Sequence, residues 1–196
     1  MNNSSYTTQN DLLLKNLMNF YETDINGSYN PNNNLDKMLR IITGESKISL
    51  RIVDWFATNY AKKYYTLYTI DQSIDNIARR FKVYDDYKLK LKAYSKKRFD
   101  PFCRWERISI PYTKGKFIET TIGQLNFFKW ALENKVIEYI EEHYNEIEAD
   151  MNSRNSTSKN RVSIENSKTR KKREELSVSA SKSIKKEKVE IVLKFD

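Results

Sequence analysis

Apolar residues fall at helical spacing in several stretches of this chain and at alternate positions in a few shorter ones, which predicts both helices and strands. Leu13, Leu14, Leu17, Phe20 and Tyr21 share one helical face, with Asn10-Asp11 placed to cap it. Leu35, Met38, Leu39 and Ile42 repeat the pattern up to Thr43, and Gly44 stands where a left-handed C-terminal cap belongs. Ser49 is placed to cap a longer helix with the stripe Ile52, Val53, Phe56 and Tyr60, widened by Trp55 and Ala57. Lys62-Lys63 sit in its last turn, where cations complement the helix dipole. Tyr64 to Ile70 turns β-branched and aromatic and predicts a strand, followed by a short helix from Ser73 to Arg80.

The helical period returns from Lys82 to Lys97. Tyr84, Tyr87, Leu91 and Tyr94 form one stripe, and Lys88, Lys92 and Lys96, spaced by four, form a row along its flank. Pro101 ends anything helical before it. Arg107–Tyr112 and Lys116–Glu119 predict a hairpin turned at Lys114-Gly115. Thr121 and Gln124 fit a capping box, opening a helix with Leu125, Phe128 and Leu132 on its face and Phe127 and Ala131 beside them. Asn134 separates it from a second helix running from Lys135 to about Met151. Trp55, Phe56, Phe128 and Trp130 are expected in the core.

The ends differ from the middle. Residues 1–34 predict a polar, largely flexible arm with one short helix, 35–151 the globular domain, 152–175 a basic flexible linker, and 176–196 a strand-forming segment. In that last segment Leu176, Val178 and Ala180 alternate with serines, and Val189, Ile191, Leu193 and Phe195 alternate again, on either side of Lys182–Lys188. Together the elements predict an α+β fold: amphipathic helices around a small antiparallel sheet, with a terminal strand that pairs within the tail or joins the body.

Charge adds a second division. The chain holds 35 Lys and Arg against 26 Asp and Glu. Residues 151–196 carry thirteen basic and six acidic side chains, a net +7, which leaves only +2 on residues 1–150. A polycationic end of this kind favours a polyanionic partner, nucleic acid before membrane, because clustered Lys and Arg displace counterions from phosphates. One cysteine, Cys103, excludes an internal disulfide and points to a reducing compartment, and a single histidine, His143, leaves too few soft ligands for a structural zinc site. No apolar run approaches the roughly 20 residues of a membrane span, and residues 1–15 lack the order of a signal peptide. No nucleotide-binding or metal motif is present, so no cofactor, metal or catalytic residue is assigned.

Arg79 to Arg107 holds eleven basic and four acidic residues among seven aromatics. The tyrosine spacing favours rings packed inward, while Arg79, Arg80, Lys88, Lys92, Lys96, Lys97, Arg98 and Arg104 remain candidates for phosphate contact. The run Arg170, Lys171, Lys172 and Arg173 fits a general polyanion contact, ahead of a nuclear import address or a solubilising tail. Thr121–Met151 passes superficially for a helix-turn-helix, but residues 129–150 hold seven acids and two lysines, and such a recognition helix would repel phosphates. A plain αα-hairpin fits better. Cys103 and His143 lack visible orienting partners, and both read as packing or surface residues.

Three stretches carry a resemblance: Ile48 to Lys63, Tyr87 to Arg104, and Thr120 to Trp130, with the ending Glu175 to Ser183. With Phe99-Asp100-Pro101-Phe102-Cys103 as the most particular part, they resemble an uncharacterised conserved protein of nucleocytoplasmic large DNA viruses of the giant-virus type. The resemblance implies a viral origin and a place in a host cytoplasmic replication factory or in the virion, with the basic run leaving the nucleus open. It carries over no site residue. The expected function is non-enzymatic binding of viral DNA or RNA, in support of packaging or replication. The alternative is a virion or assembly scaffold acting through contacts with its own copies or with other viral proteins.

Overall fold

The computed structural model describes residues 8–22, 34–71, 78–104, 106–113, 116–162 and 185–188. Thr8 starts the first helix, α1 (Gln9–Glu22), in place of the expected Asn10-Asp11 cap. Its hydroxyl accepts from the Asp11 amide at 3.2 Å, and its own amide donates to the Asp11 carboxylate at 2.9 Å, a reciprocal arrangement that satisfies the helix start. This helix belongs to the body and not to a flexible arm. Leu17 and Tyr21 are fully buried, and the Tyr21 hydroxyl donates to the Leu125 carbonyl at 2.8 Å. Sequence period identifies a helix, but not whether its apolar face finds a partner.

Helix α2 (Asn34–Thr43) ends at Gly44, whose φ of +81° is the left-handed cap expected there. Ser49 caps α3 (Leu50–Trp55) by accepting from the Ile52 amide. The chain continues through a π-helical turn, Phe56–Tyr60, into α4 (Ala61–Lys63). Ile52, Val53, Phe56 and Tyr60 are buried as their stripe predicts. Trp55 is only half-buried, at the edge, where its indole N–H donates to Asp150 at 3.0 Å.

Strand β1 (Leu67–Asp71) begins later than its aromatic run suggests, because Tyr64 and Tyr65 form a turn. It pairs antiparallel with β2 (Ala78–Lys82), which occupies the end of the segment expected as a Ser73–Arg80 helix. Ala and Arg favour helix, but Tyr68 lies opposite Phe81, and burying that aromatic pair overrides local propensity. Helix α5 (Val83–Arg98) follows directly. Its backbone breaks at Ser95, with φ +63° and ψ 166°, so the expected row Lys88, Lys92, Lys96 is interrupted before its third member.

β3 (Arg107–Thr113) and β4 (Lys116–Thr121) form the expected hairpin. A third strand, β5 (Lys185–Lys188), pairs antiparallel with β4, from Lys116 opposite Lys188 to Glu119 opposite Lys185. What joins the body's sheet among the described residues of this segment is the lysine-rich stretch expected to separate two strands. Leu176–Ala180 and Val189–Phe195 lie outside the described residues.

At the centre is α6 (Ile122–Glu133), buried on nearly every face and not along one stripe. Thr121 caps it by accepting from the Gln124 amide. Its interior polar side chains have partners: Gln124 donates to the Pro101 carbonyl and Asn126 to the Arg98 carbonyl. Phe81, Tyr87, Phe99, Phe127 and Trp130 pack as one aromatic cluster around this helix. The expected second helix divides at His143 into α7 (Val136–Glu142) and α8 (Tyr144–Val162). α8 runs eleven residues past Met151, so the stretch read as linker from 152 opens as helix. Ile147 and Met151 anchor it in the core, and extending an established helix is far easier than starting one. The fold is α+β, with helices around two small antiparallel sheets.

Candidate nucleic-acid interface

Helix α4 ends in Lys62, Lys63, Tyr64 and Tyr65, and these four side chains divide between two neighbours. Lys63 and Tyr64 reach α8, where the Asp150 carboxylate accepts from the Lys63 ammonium at 2.6 Å, the Tyr64 hydroxyl at 3.3 Å and the Trp55 indole. Burial works against the Asp150 charge, but the hydrogen bonds from Lys63 and Trp55 and the charges of Lys63 and Arg154 outweigh it and hold its pKa below the ordinary value. This buried carboxylate fixes the helix end.

Lys62 and Tyr65 face α5 and the β1–β2 hairpin instead. They line a groove of about 450 Å³ with Leu67, Lys82, Tyr84 and Asp85. The Lys62 and Lys88 ammonium groups each lie 5.6 Å from the centre of the Tyr84 ring, so one ring holds two cations. The hairpin extends this surface. Thr69 lies opposite Arg80 and Leu67 opposite Lys82, and all four are exposed, whereas the alternate pairs include the buried Phe81 and Ile70.

The predicted residues therefore separate into groups. Arg80, Lys88 and Lys92 are exposed along this face. Arg79 sits on the other side of the hairpin and approaches Asp86 at 3.8 Å. Beyond the break at Ser95, Lys96, Lys97 and Arg104 line a second hollow of about 400 Å³ with Asp100, Phe102 and Cys103. Arg98 is half-buried and donates to the Gln9 side chain of α1 at 3.3 Å. Arg170, Lys171, Lys172 and Arg173 lie outside the described residues. The structure adds Lys62, Tyr65, Lys82 and Tyr84, which sequence reasoning assigned to a helix end, a strand or an inward stripe. The signal for them was the run Lys62-Lys63-Tyr64-Tyr65, basic then aromatic, immediately before a strand.

The two residues with conceivable nucleophilic chemistry are occupied otherwise. Cys103 is buried, with its sulfur 3.5 Å from the Lys97 carbonyl oxygen, and His143 stacks on Tyr139 at 4.1 Å between ring centres. Asp54, beside the π-helical turn, is displaced upwards: burial, and then the Asp100 charge, raise its pKa to about 7. Among the described residues no helix is long and apolar enough to cross a membrane.

With a basic, aromatic-edged surface on an α+β body, the chain belongs to the family of unknown function DUF7197, which it matches over residues 1–190. It is similar to an uncharacterised protein of Acanthamoeba polyphaga mimivirus, 42% identical over 171 residues that cover 85% of this chain and 62% of that protein. The chain thus spans less than two thirds of that relative's length, and its resemblance to a giant-virus protein is shown. No solved structure matches it.

Proposed function

We propose that this protein binds nucleic acid without enzymatic action, holding phosphates on the surface formed by Lys62, Arg80, Lys82, Lys88 and Lys92. The observation that carries this reading is their exposure on adjoining elements, with no carboxylate among the described residues paired to any of the five. Unpaired surface cations crowded together repel one another, and phosphate relieves that repulsion while releasing counterions. The basic run at 170–173 supplies further contacts of the same kind, and the setting that fits is a viral factory or virion.

Titration of labelled DNA and RNA across a salt series tests it. Affinity should fall steeply with salt for unrelated sequences alike. Changing Lys62, Arg80, Lys82 and Lys88 together to Gln should weaken binding uniformly and flatten the slope by about 0.7–0.9 for each phosphate that is no longer neutralised. Binding indifferent to salt, or no binding, would refute the proposal. The second reading, a scaffold of neighbouring copies, is favoured by one observation: Glu141, Glu142 and Glu146 stand exposed on α7 and α8, a surface of opposite sign. Salt-sensitive self-association in the absence of nucleic acid would support that reading instead.

A further inference from the structure

We infer that the groove beside α4 accepts an unpaired base against Tyr65, so that the nucleic acid held there is single-stranded; this rests on the phosphate-binding reading above. Tyr65 is 88% exposed, more than Leu12, Tyr64, Leu67 or Leu89, although an aromatic ring gains stability by burial. Its backbone also occupies the left-handed region, with φ +50°. A non-glycine residue is disfavoured there, and such positions persist where the surroundings enforce them. Here the enforcement is visible. The Tyr64 amide donates to the Tyr60 carbonyl at 3.0 Å, the Thr66 amide to the Ala61 carbonyl at 3.1 Å, and Tyr64 and Lys63 are tied to Asp150. The ring is thus presented on a braced turn with no packing return within the fold.

What surrounds it indicates the ligand. The hollow, about 450 Å³, falls within the roughly 300–1,000 Å³ of small-ligand sites. Leu67, 44% exposed, supplies apolar surface, and Lys62, Lys82 and Lys88 supply cations around it. Tyr84 already lies under two ammonium groups, which leaves Tyr65 as the open ring face. Asp85 on the rim adds an acceptor suited to a base amino group. A flat ring with cations to either side matches an unstacked base with its flanking phosphates. Inside a duplex both faces of each base are covered by neighbours, and the ring would gain nothing there.

The test uses the full chain with three labelled probes: a single strand, the same strand with abasic sites, and a long fully paired duplex without loops or overhangs. Tyr65→Ala should lose about tenfold affinity for the intact single strand and keep its duplex affinity and its salt slope. Tyr65→Phe should behave as the parent, and the parent should bind the abasic strand about as weakly as Tyr65→Ala binds the intact one. Circular dichroism should show Tyr65→Ala folded, since the side chain packs against little. Unchanged single-strand affinity of Tyr65→Ala would overturn the base pocket and leave the phosphate surface standing. Equal losses for strand and duplex would likewise overturn it, as would full affinity for the abasic strand. Absence of salt-dependent binding by the parent would overturn both.

Discussion

In the proposed base pocket Tyr65 would set recognition against stability within one side chain, because its exposure and its left-handed backbone both disfavour the fold. Glycine tolerates that backbone freely, so Tyr65→Gly should melt no lower than the parent while binding single strands more weakly. A lower melting temperature would show that the ring packs in solution. Phe128 presents the opposite case: it is fully buried against Phe127 in α6, and Phe128→Ala should cost about 3–5 kcal/mol in urea unfolding. Asp54 adds a pH dependence. Its pKa in the fold is raised to about 7, whereas an unfolded Asp titrates near 3.9. The folded state therefore binds more protons between these values, so its stabilising contribution is complete below about pH 4 and lost as pH rises through 7. Asp54→Asn should abolish this decline, leaving the variant more stable than the parent at pH 8 if the amide is accommodated. Parallel stability profiles from pH 5 to 8 would contradict the assignment.

Among the elements, the joint between α5, the following loop and the start of α6 admits almost no added volume. A Cβ on Gly123 would lie 2.9 Å from the Asp100 carbonyl oxygen and 3.1 Å from the Cys103 Cβ and the Lys97 carbonyl oxygen. Gly123→Ala should therefore destabilise by about 1–3 kcal/mol, although alanine is normally the better helix former. A stabilised variant would mean that the loop yields. Much of this architecture was legible in sequence: the Ser49 and Thr121 caps, the Gly44 stop, the β3–β4 hairpin and the inward Tyr87 are set by neighbours within a few residues. What escaped depends on distant partners. Phe81 draws Ala78–Lys82 into a strand through Tyr68, and Tyr21 draws the first helix into the body through Leu125. The lysines of α5 were legible as a basic face. The groove was not, because it joins Lys62 and Tyr65 to Lys82 and Tyr84 across a turn and a hairpin.

Across the whole molecule, β5 changes how the basic end is to be understood. Helix α8 ends at Val162, and Lys185–Lys188 pair with β4. In sequence the run Arg170–Arg173 falls between these two elements. If the protein binds a polyanion as proposed, a chain connection fixed at β5 would raise the effective concentration of those cations and strengthen binding to a polyanion that touches both, without any new interaction. Residues 185–196 hold four lysines against three acids, so removing them changes the net charge by only one. Deleting 185–196 should consequently weaken nucleic-acid binding a few-fold with the salt slope preserved. Arg170, Lys171, Lys172 and Arg173 changed together to Gln should instead flatten the slope for every sequence tested. The body should remain folded in both variants, since Ile110 and Ile118 keep the β3–β4 hairpin in the core without the third strand. If the deletion flattens the slope as the four Gln substitutions do, the β5 lysines themselves contact phosphate, and the tether account fails.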